Sequence, residues 1–329
     1  VQAQSWFPVC SGSSVGGVDE MVAALDVGGT KLEAGIVDSN GHVIARERVP
    51  TEAVDGEHLL GVVQSILASC IESAGVEPAA IGVGCGGPMS GPDPQHPHRG
   101  AADVSPLNIP QWRRFRLGPR LAERFGTPTR VDNDAKALAL AELRHGAAVG
   151  ERNLIAMVVS SGVGGGIVLD GRLLDGDSGN AGHIGHLLVD AGGRPCPCGS
   201  RGCLEAEISG TSIALATGAP AAEAPLEVRR RAGRLAGRAV GTVCSLLDLG
   251  LAVVAGSVAL GYGDDFFAAA QAELDRVARI EFASGARIVP AGCGPDGPLL
   301  GAAAVGFELL EREGLDGRSC PGCPHGRRA

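Results

Sequence analysis

The sequence has no apolar run long enough to cross a bilayer; the best candidate, residues 154–169, is broken by Ser160, Ser161, Gly162, Gly164, Gly165 and Gly166. Nor is there an excess of positive charge. The net charge is −9 and the isoelectric point about 5.4, which disfavours nucleic acid and anionic membranes, since both require a basic patch. A small anionic cofactor remains compatible, because backbone N–H groups can hold it. The first twenty residues lack the basic segment and unbroken apolar stretch of a secretory signal. Cysteine is too sparse for a disulfide scaffold, ten in 329 residues, so free thiols in a reducing cytoplasm are expected. Glycine is abundant at 52, but without a G-x-y period and with only 20 prolines it marks neither collagen nor low complexity. The glycines are read as turn residues. With 44% apolar and 20% charged residues over this length, one large or two medium globular domains are expected.

From Met21 an apolar run, a Gly-Gly turn and a second apolar run ending near Asp38 predict a hairpin. The same pattern returns over residues 153–172 with a longer Gly-rich turn, so the two halves of the chain look duplicated. Helical spacing predicts helices over 57–74, 135–146, 226–249, 266–280 and 301–312, and strands are expected at 79–87, 129–131 and 251–255. The fold class is α/β. Residues 1–20 read as a leader and 315–329 as a loose tail, in which Cys320, Cys323 and His325 form at most a weak metal motif. Cys70, Cys85, Cys244 and Cys293 lie among small or apolar residues and are expected to pack as small hydrophobes.

Three sequence motifs carry chemistry. In D-V-G-G-T-K, the glycines let Gly28 and Gly29 bring backbone N–H groups to phosphate oxygens, Thr30 adds a hydroxyl beside Lys31, and Asp26 at the strand end can hold a hydrated Mg²⁺. A plain hairpin explains this turn equally well on its own. Its pairing with a second turn containing Ser161, Gly162 and Gly164 favours two phosphate loops flanking a cleft. In Asp132-Asn133-Asp134 a carboxylate can accept the proton of an attacking hydroxyl while the amide holds a neighbouring one. The same triplet reads as a helix N-cap, and both hold if one residue caps while Asp134 faces the cleft. The most specific motif is His186 with Cys196, Cys198 and Cys203, a Cys₃His set for a closed tetrahedral Zn²⁺ site, structural because four protein ligands leave no open position.

With these motifs in order, the sequence resembles the ROK family (repressor, open reading frame, kinase) of sugar kinases, within the actin-like ATPase superfamily. The resemblance covers residues 21 to about 310. It rests on D-V-G-G-T-K (26–31), G-V-G-C-G-G-P (82–88), S-P-L-N-I-P-Q-W (105–112), D-N-D-A (132–135), S-G-V-G-G-G (161–166), A-G-H-I-G-H (181–186) and C-P-C-G-S-R-G-C-L-E (196–205). It implies a two-lobed actin-like (ribonuclease H-like) fold of duplicated mixed-sheet domains with a zinc-bound loop over 183–205. The small lobe would hold residues 21–131 plus 300–314, and the large lobe residues 132–299.

The implied activity is ATP- and Mg²⁺-dependent phosphorylation of the 6-hydroxyl of glucose or an N-acetylhexosamine. Asp134 would be the general base, and Gly87, Asn108, Asn133, His183, His186 and Glu205 the sugar contacts. His186 would bind zinc through one ring nitrogen and orient a sugar hydroxyl with the other. Gly256, in A-G-S-V, resembles the adenosine-side turn, where a Gly is usual at the position of Ala255. Two further departures stand out. His183 replaces the usual Glu of the sugar loop, exchanging a carboxylate that accepts from two hydroxyls for an imidazole with one donor and one acceptor, which points to a changed 2-position. The resemblance associates a His here with N-acetylhexosamine kinases, N-acetylmannosamine kinases especially, and so implies an acetamido sugar, although glucokinase-like relatives also tolerate it. Ser161 replaces a common Thr and keeps the hydroxyl. The alternative is a non-catalytic sugar-sensing regulator of the same family, but no basic, helically periodic segment precedes Asp26. Sugar and ATP are the expected partners, without nucleic acid or membrane, for a cytoplasmic homodimer or homotetramer.

Overall fold

A computed structural model describes residues 20–52, 54–93 and 96–314. The expected tail and, apart from Glu20, the expected leader lie outside the described residues, as do Cys320, Cys323 and His325. The first sheet contains β1 (Met21–Val27), β2 (Lys31–Asp38), β3 (Val43–Pro50), β4 (Ala80–Cys85), β5 (Pro92–Asp93), β6 (His96–Ala101) and β7 (Thr129–Asn133), in the order β3-β2-β1-β4-β7-β6-β5. Its helices are α1 (Gly56–Ala74) and α2 (Leu117–Phe125). α3 (Asp134–His145) leads to the second sheet: β8 (Leu154–Val159), β9 (Val163–Leu169), β10 (Arg172–Leu173), β11 (Leu251–Ala255) and β12 (Arg287–Pro290), in the order β10-β9-β8-β11-β12. Between and after these strands come α4 (Leu204–Ile208), α5 (Gly210–Thr217), α6 (Leu226–Leu247), α7 (Ser257–Tyr262), α8 (Asp264–Val277) and α9 (Gly297–Glu313).

The two sheets repeat one pattern. In each, three antiparallel strands are followed by a fourth and fifth that run parallel to the first, β3-β2-β1-β4-β7 in one and β10-β9-β8-β11-β12 in the other. The duplication expected from the sequence is therefore present, and the arrangement is the mixed α/β fold of actin-like ATPases. Covering both faces of a sheet explains the unbroken apolar runs of its central strands. Along β1, Ala23, Leu25 and Val27 face the cluster built with α1, whereas Val22 and Ala24 face α9. Along β8, Ile155, Met157 and Val159 face α6 and α8, and Leu154 and Ala156 face α3. α1 starts where the Asp55 carboxylate accepts the His58 N–H at 2.8 Å and ends at Gly75, φ 65°.

The structure differs from the sequence reading in detail. β3, α2 and β12 were not expected; β3 alternates partly buried and exposed positions at the sheet edge, where Arg46 and Arg48 interrupt any apolar signal. The second Gly-rich turn is shorter than its composition implies: it is confined to residues 160–162, and Gly164, Gly165 and Gly166 belong to β9.

Candidate active site

The parallel register of β1, β4 and β7 sets Asp26 beside Gly84, Gly84 beside Asp132 and Cys85 beside Asn133. Three strand ends thus converge where α3 begins. Asn133 is the cap of α3, its Oδ1 accepting the Ala135 N–H at 3.0 Å, and Asp134 is the first residue of the helix. Asp134 also accepts the Ala135 N–H, through Oδ1 at 2.8 Å. The Asp134 carboxylate is open to solvent but walled in by protein, and that desolvation raises its pKa. Asp26 is 8% exposed; burial, and then the charge of Asp134, push it up to about 7. A side-chain carbon on Gly84 would stand 3.9 Å from both Asp26 Oδ1 and Asp134 Cα, so the two acids share one cleft wall.

The residues expected to hold sugar lie on five separate segments, and those bearing Gly87, Asn133 and His183 meet here. A carbon added to Gly87 would be 3.2 Å from Asn133 Nδ2 and 3.8 Å from His183 Cε1. Asn108 lies against the first Gly-rich turn, its Cβ 2.5 Å from where a side chain on Gly29 would begin. The His183 and His186 rings are 6.2 Å apart and nearly parallel. Crowding by protein and then by His186 lowers the pKa of His183, so it is a neutral imidazole with one donor and one acceptor near pH 7. Glu205 is engaged elsewhere, its Oε2 accepting the Val163 N–H at 2.9 Å, which ties it to the start of β9.

The first turn is closed by Gly28 N–H to the Lys31 carbonyl at 3.0 Å and anchored by the Thr51 hydroxyl, which donates to the Gly28 carbonyl at 2.7 Å. Thr30 is exposed at its tip, while the Lys31 ammonium is paired with Glu33 at 2.8 Å. In the second, Ser160 N–H donates to the Gly162 carbonyl at 2.9 Å, and the Ser161 carbonyl accepts the Thr211 hydroxyl at 2.9 Å. Gly256 (φ 100°) packs on Val159, placing Ser257 Oγ 3.1 Å from Ser160 Oγ. The glycines of β9 have another use. Carbons on Gly164 and Gly166 would lie 2.9 Å from Ala135 Cβ and 2.6 Å from Lys136 Cα, so their bareness lets α3 seat its first turn, and Asp134, against the second loop.

His186, Cys196, Cys198 and Cys203 come together with all ligand atoms within 4.8 Å of one another. Cys198 Sγ lies 3.7 Å from Cys203 Sγ, and Cys196 Sγ 3.8 Å from His186 Nδ1. A tetrahedron with Zn–S bonds of about 2.3 Å has an S···S edge of about 3.8 Å, so the donor set and spacing fit zinc, whereas a disulfide needs about 2.05 Å. The loop packs into the main core through Ile184, Val189 and Leu204, whereas around the ligands themselves only Ala206 clusters with Cys196 and Cys203. Cys70, Cys85 and Cys244 are buried among apolar residues as expected, and Cys293 is partly buried.

Sequence reasoning missed a charged cluster behind the site. Arg130, 1% exposed, donates to Asp132 at 2.8 Å; Lys136, also 1% exposed, contacts Asp132 at 2.9 Å, Asp175 at 2.8 Å and the Gly179 carbonyl at 3.1 Å. The i,i+4 spacing of Asp132 and Lys136 was the available signal. Asn180, just before the A-G-H-I-G-H motif, bonds both backbone groups of Met89.

The family model for "ROK family" matches residues 22–307. The chain belongs to the ROK family. Among its ROK relatives, the N-acetylmannosamine kinase of Citrobacter koseri is 34% identical over 256 residues, 73% of this chain and 84% of that one. The glucokinase of Streptomyces coelicolor is 34% identical over 195 residues, 59% of this chain and 57% of that one. Of solved structures, the ROK hexokinase from Thermus thermophilus superposes with a TM-score of 0.76 at 32% identity, covering 89% of this chain and 99% of that one. A ROK family glucokinase from Streptomyces griseus, solved with glucose and AMPPNP, gives 0.72 at 28% identity, covering 88% and 99%. A ROK transcriptional regulator shares the fold, with a TM-score of 0.75 at 21% identity.

Proposed function

We propose that this chain is an ATP- and Mg²⁺-dependent sugar kinase that transfers the γ-phosphoryl group to the 6-hydroxyl of glucose or an N-acetylhexosamine, working in the cytoplasm as a homodimer or homotetramer. The observation that carries this reading is Asp134: a solvent-open carboxylate of raised pKa on the first turn of α3, beside the cluster of Gly87, Asn133 and His183. Its elevated pKa brings it closer to the value at which a carboxylate best removes a hydroxyl proton. Asn108, Asn133, His183, His186, Glu205 and the Gly87 backbone hold the sugar. The turns with Gly28, Gly29, Thr30 and Lys31 and with Ser161 and Gly162 hold the phosphates, Gly164 in β9 supports the second turn by seating α3, and Gly256 borders the adenosine. Asp26, at the end of β1, would hold a Mg²⁺, which when bound would supply charge neutralisation for the phosphates. The first sheet with α9 forms one lobe and the second sheet with the cysteine loop the other, closing on the cleft to exclude water. Zinc on His186, Cys196, Cys198 and Cys203 fixes the sugar loop. The geometry speaks for a kinase over a sensor because Asp134 and both loops are retained around one cleft.

ADP release with Mg²⁺-ATP against glucose, mannose, fructose, N-acetylglucosamine and N-acetylmannosamine tests this. Turnover of at least one of these hexoses, with a 6-phosphate product by NMR, is expected; binding of sugar without turnover of any would favour the regulator.

A further inference from the structure

The sugar cluster is assembled from residues 87–89, 132–134 and 180–186; the pairing of β4 with β7 sets the first two side by side, whereas 180–186 comes from the loop after β10. The Asn180 side chain spans two of them. Its Oδ1 accepts the Met89 N–H at 3.2 Å and its Nδ2 donates to the Met89 carbonyl at 2.8 Å, satisfying both backbone groups of one residue as a neighbouring strand would. Only a carboxamide presents donor and acceptor together in this way. The amide is itself oriented by the Ser178 carbonyl and hydroxyl, at 3.0 and 3.2 Å. The third segment is tied in from the other side. Lys136 reaches Asp175 and the Gly179 carbonyl just before Asn180, and also Asp132, whose Oδ1 accepts the Asn133 N–H at 2.9 Å.

We infer that Asn180 is a positioning residue for the sugar: it locks the Gly87–Met89 turn against the loop bearing His183 and His186, while Lys136 registers that loop to the turn presenting Asn133 and Asp134. A site whose contacts come from separate segments loses affinity when their register loosens by a fraction of an ångström. Since Asn180 touches neither phosphate loop, its loss acts on sugar and not on nucleotide. The inference rests on the sugar-kinase reading above.

Calorimetric titration of the full chain with glucose, mannose, fructose, N-acetylglucosamine and N-acetylmannosamine and, separately, with AMPPNP tests it. Asn180→Ala is expected to weaken binding of the hexose the wild type binds, and to raise its KM, by about tenfold, the value of two lost hydrogen bonds, with AMPPNP affinity unchanged to within about twofold. Asn180→Asp keeps the shape but sets a carboxylate against the Met89 carbonyl, and is expected to weaken hexose binding at least as much. Unchanged hexose affinity in either variant overturns the inference, as does a joint fall of hexose and AMPPNP affinity with a lowered Tm. If the wild type binds AMPPNP but none of glucose, mannose, fructose, N-acetylglucosamine and N-acetylmannosamine, the sugar-kinase reading fails and the inference with it.

Discussion

His183 is a residue whose chemistry bears on which sugar is chosen. Held neutral between His186 and the cleft wall, it offers one donor and one acceptor where a carboxylate would accept from two adjacent hydroxyls. If the proposed sugar contact of His183 is right, the exchange bears on the 2-position, and an acetamido group there is the case tested. His183→Glu is expected to shift the ratio of kcat/KM toward glucose over N-acetylmannosamine by about tenfold, the scale of one well-placed polar contact. An unchanged ratio would show that specificity is set elsewhere. Asn133 was legible as a cap, with Asp134 following it at the start of α3, because the triplet occupies one strand end. The Asn180 contact was not, since its partner Met89 stands 91 residues away and nothing local marks it.

Among the elements, the loop around His186 and the three cysteines packs into the main core through Ile184, Val189 and Leu204, but around the ligands themselves it depends on something other than apolar burial. Its small cluster of Cys196, Cys203 and Ala206 cannot hold a defined shape alone, and Leu204 and Glu205 follow Cys203 directly into α4. Purified protein is expected to hold about one Zn²⁺ per chain, measured by mass spectrometry of metals. Cys198→Ala should reduce that content and raise the hexose KM by about tenfold or more. Full metal content in the variant, or full activity after stripping the metal, would contradict this role. Long amphipathic elements such as α1 and α6 were legible from periodicity, and the hairpin of β1 and β2 from its turn. β3 escaped because its edge position alternates with charge. α2 carries Gly118 and Pro119 in its first turn, and β12 is only four residues long, too short to show a period.

In the whole molecule, the buried cluster of Arg130, Asp132, Lys136 and Asp175 joins the first sheet, α3 and the loop after β10. Burial alone would raise the pKa of Asp175, but Lys136, Arg130 and Arg312 overcome it and hold the carboxyl at about 2. Because that value lies below the unfolded one of about 3.9, ionised Asp175 stabilises the fold, fully so above about pH 5 and progressively less as the pH falls toward 2. Lys136→Met leaves Asp132 and Asp175 with fewer partners and should cost about 3 kcal/mol near neutral pH. The deficit relative to wild type in urea unfolding should narrow as the pH is lowered from 6 to 3. A pH-independent difference would mean that the lysine acts by packing alone. The proposed function makes Asp134 the base on a sugar hydroxyl, and hexose-dependent ADP release by Asp134→Asn against wild type tests that most directly. A fall in kcat of about 100-fold or more, with hexose and AMPPNP still bound at near wild-type affinity, is the predicted result; near-normal kcat in the variant would contradict it.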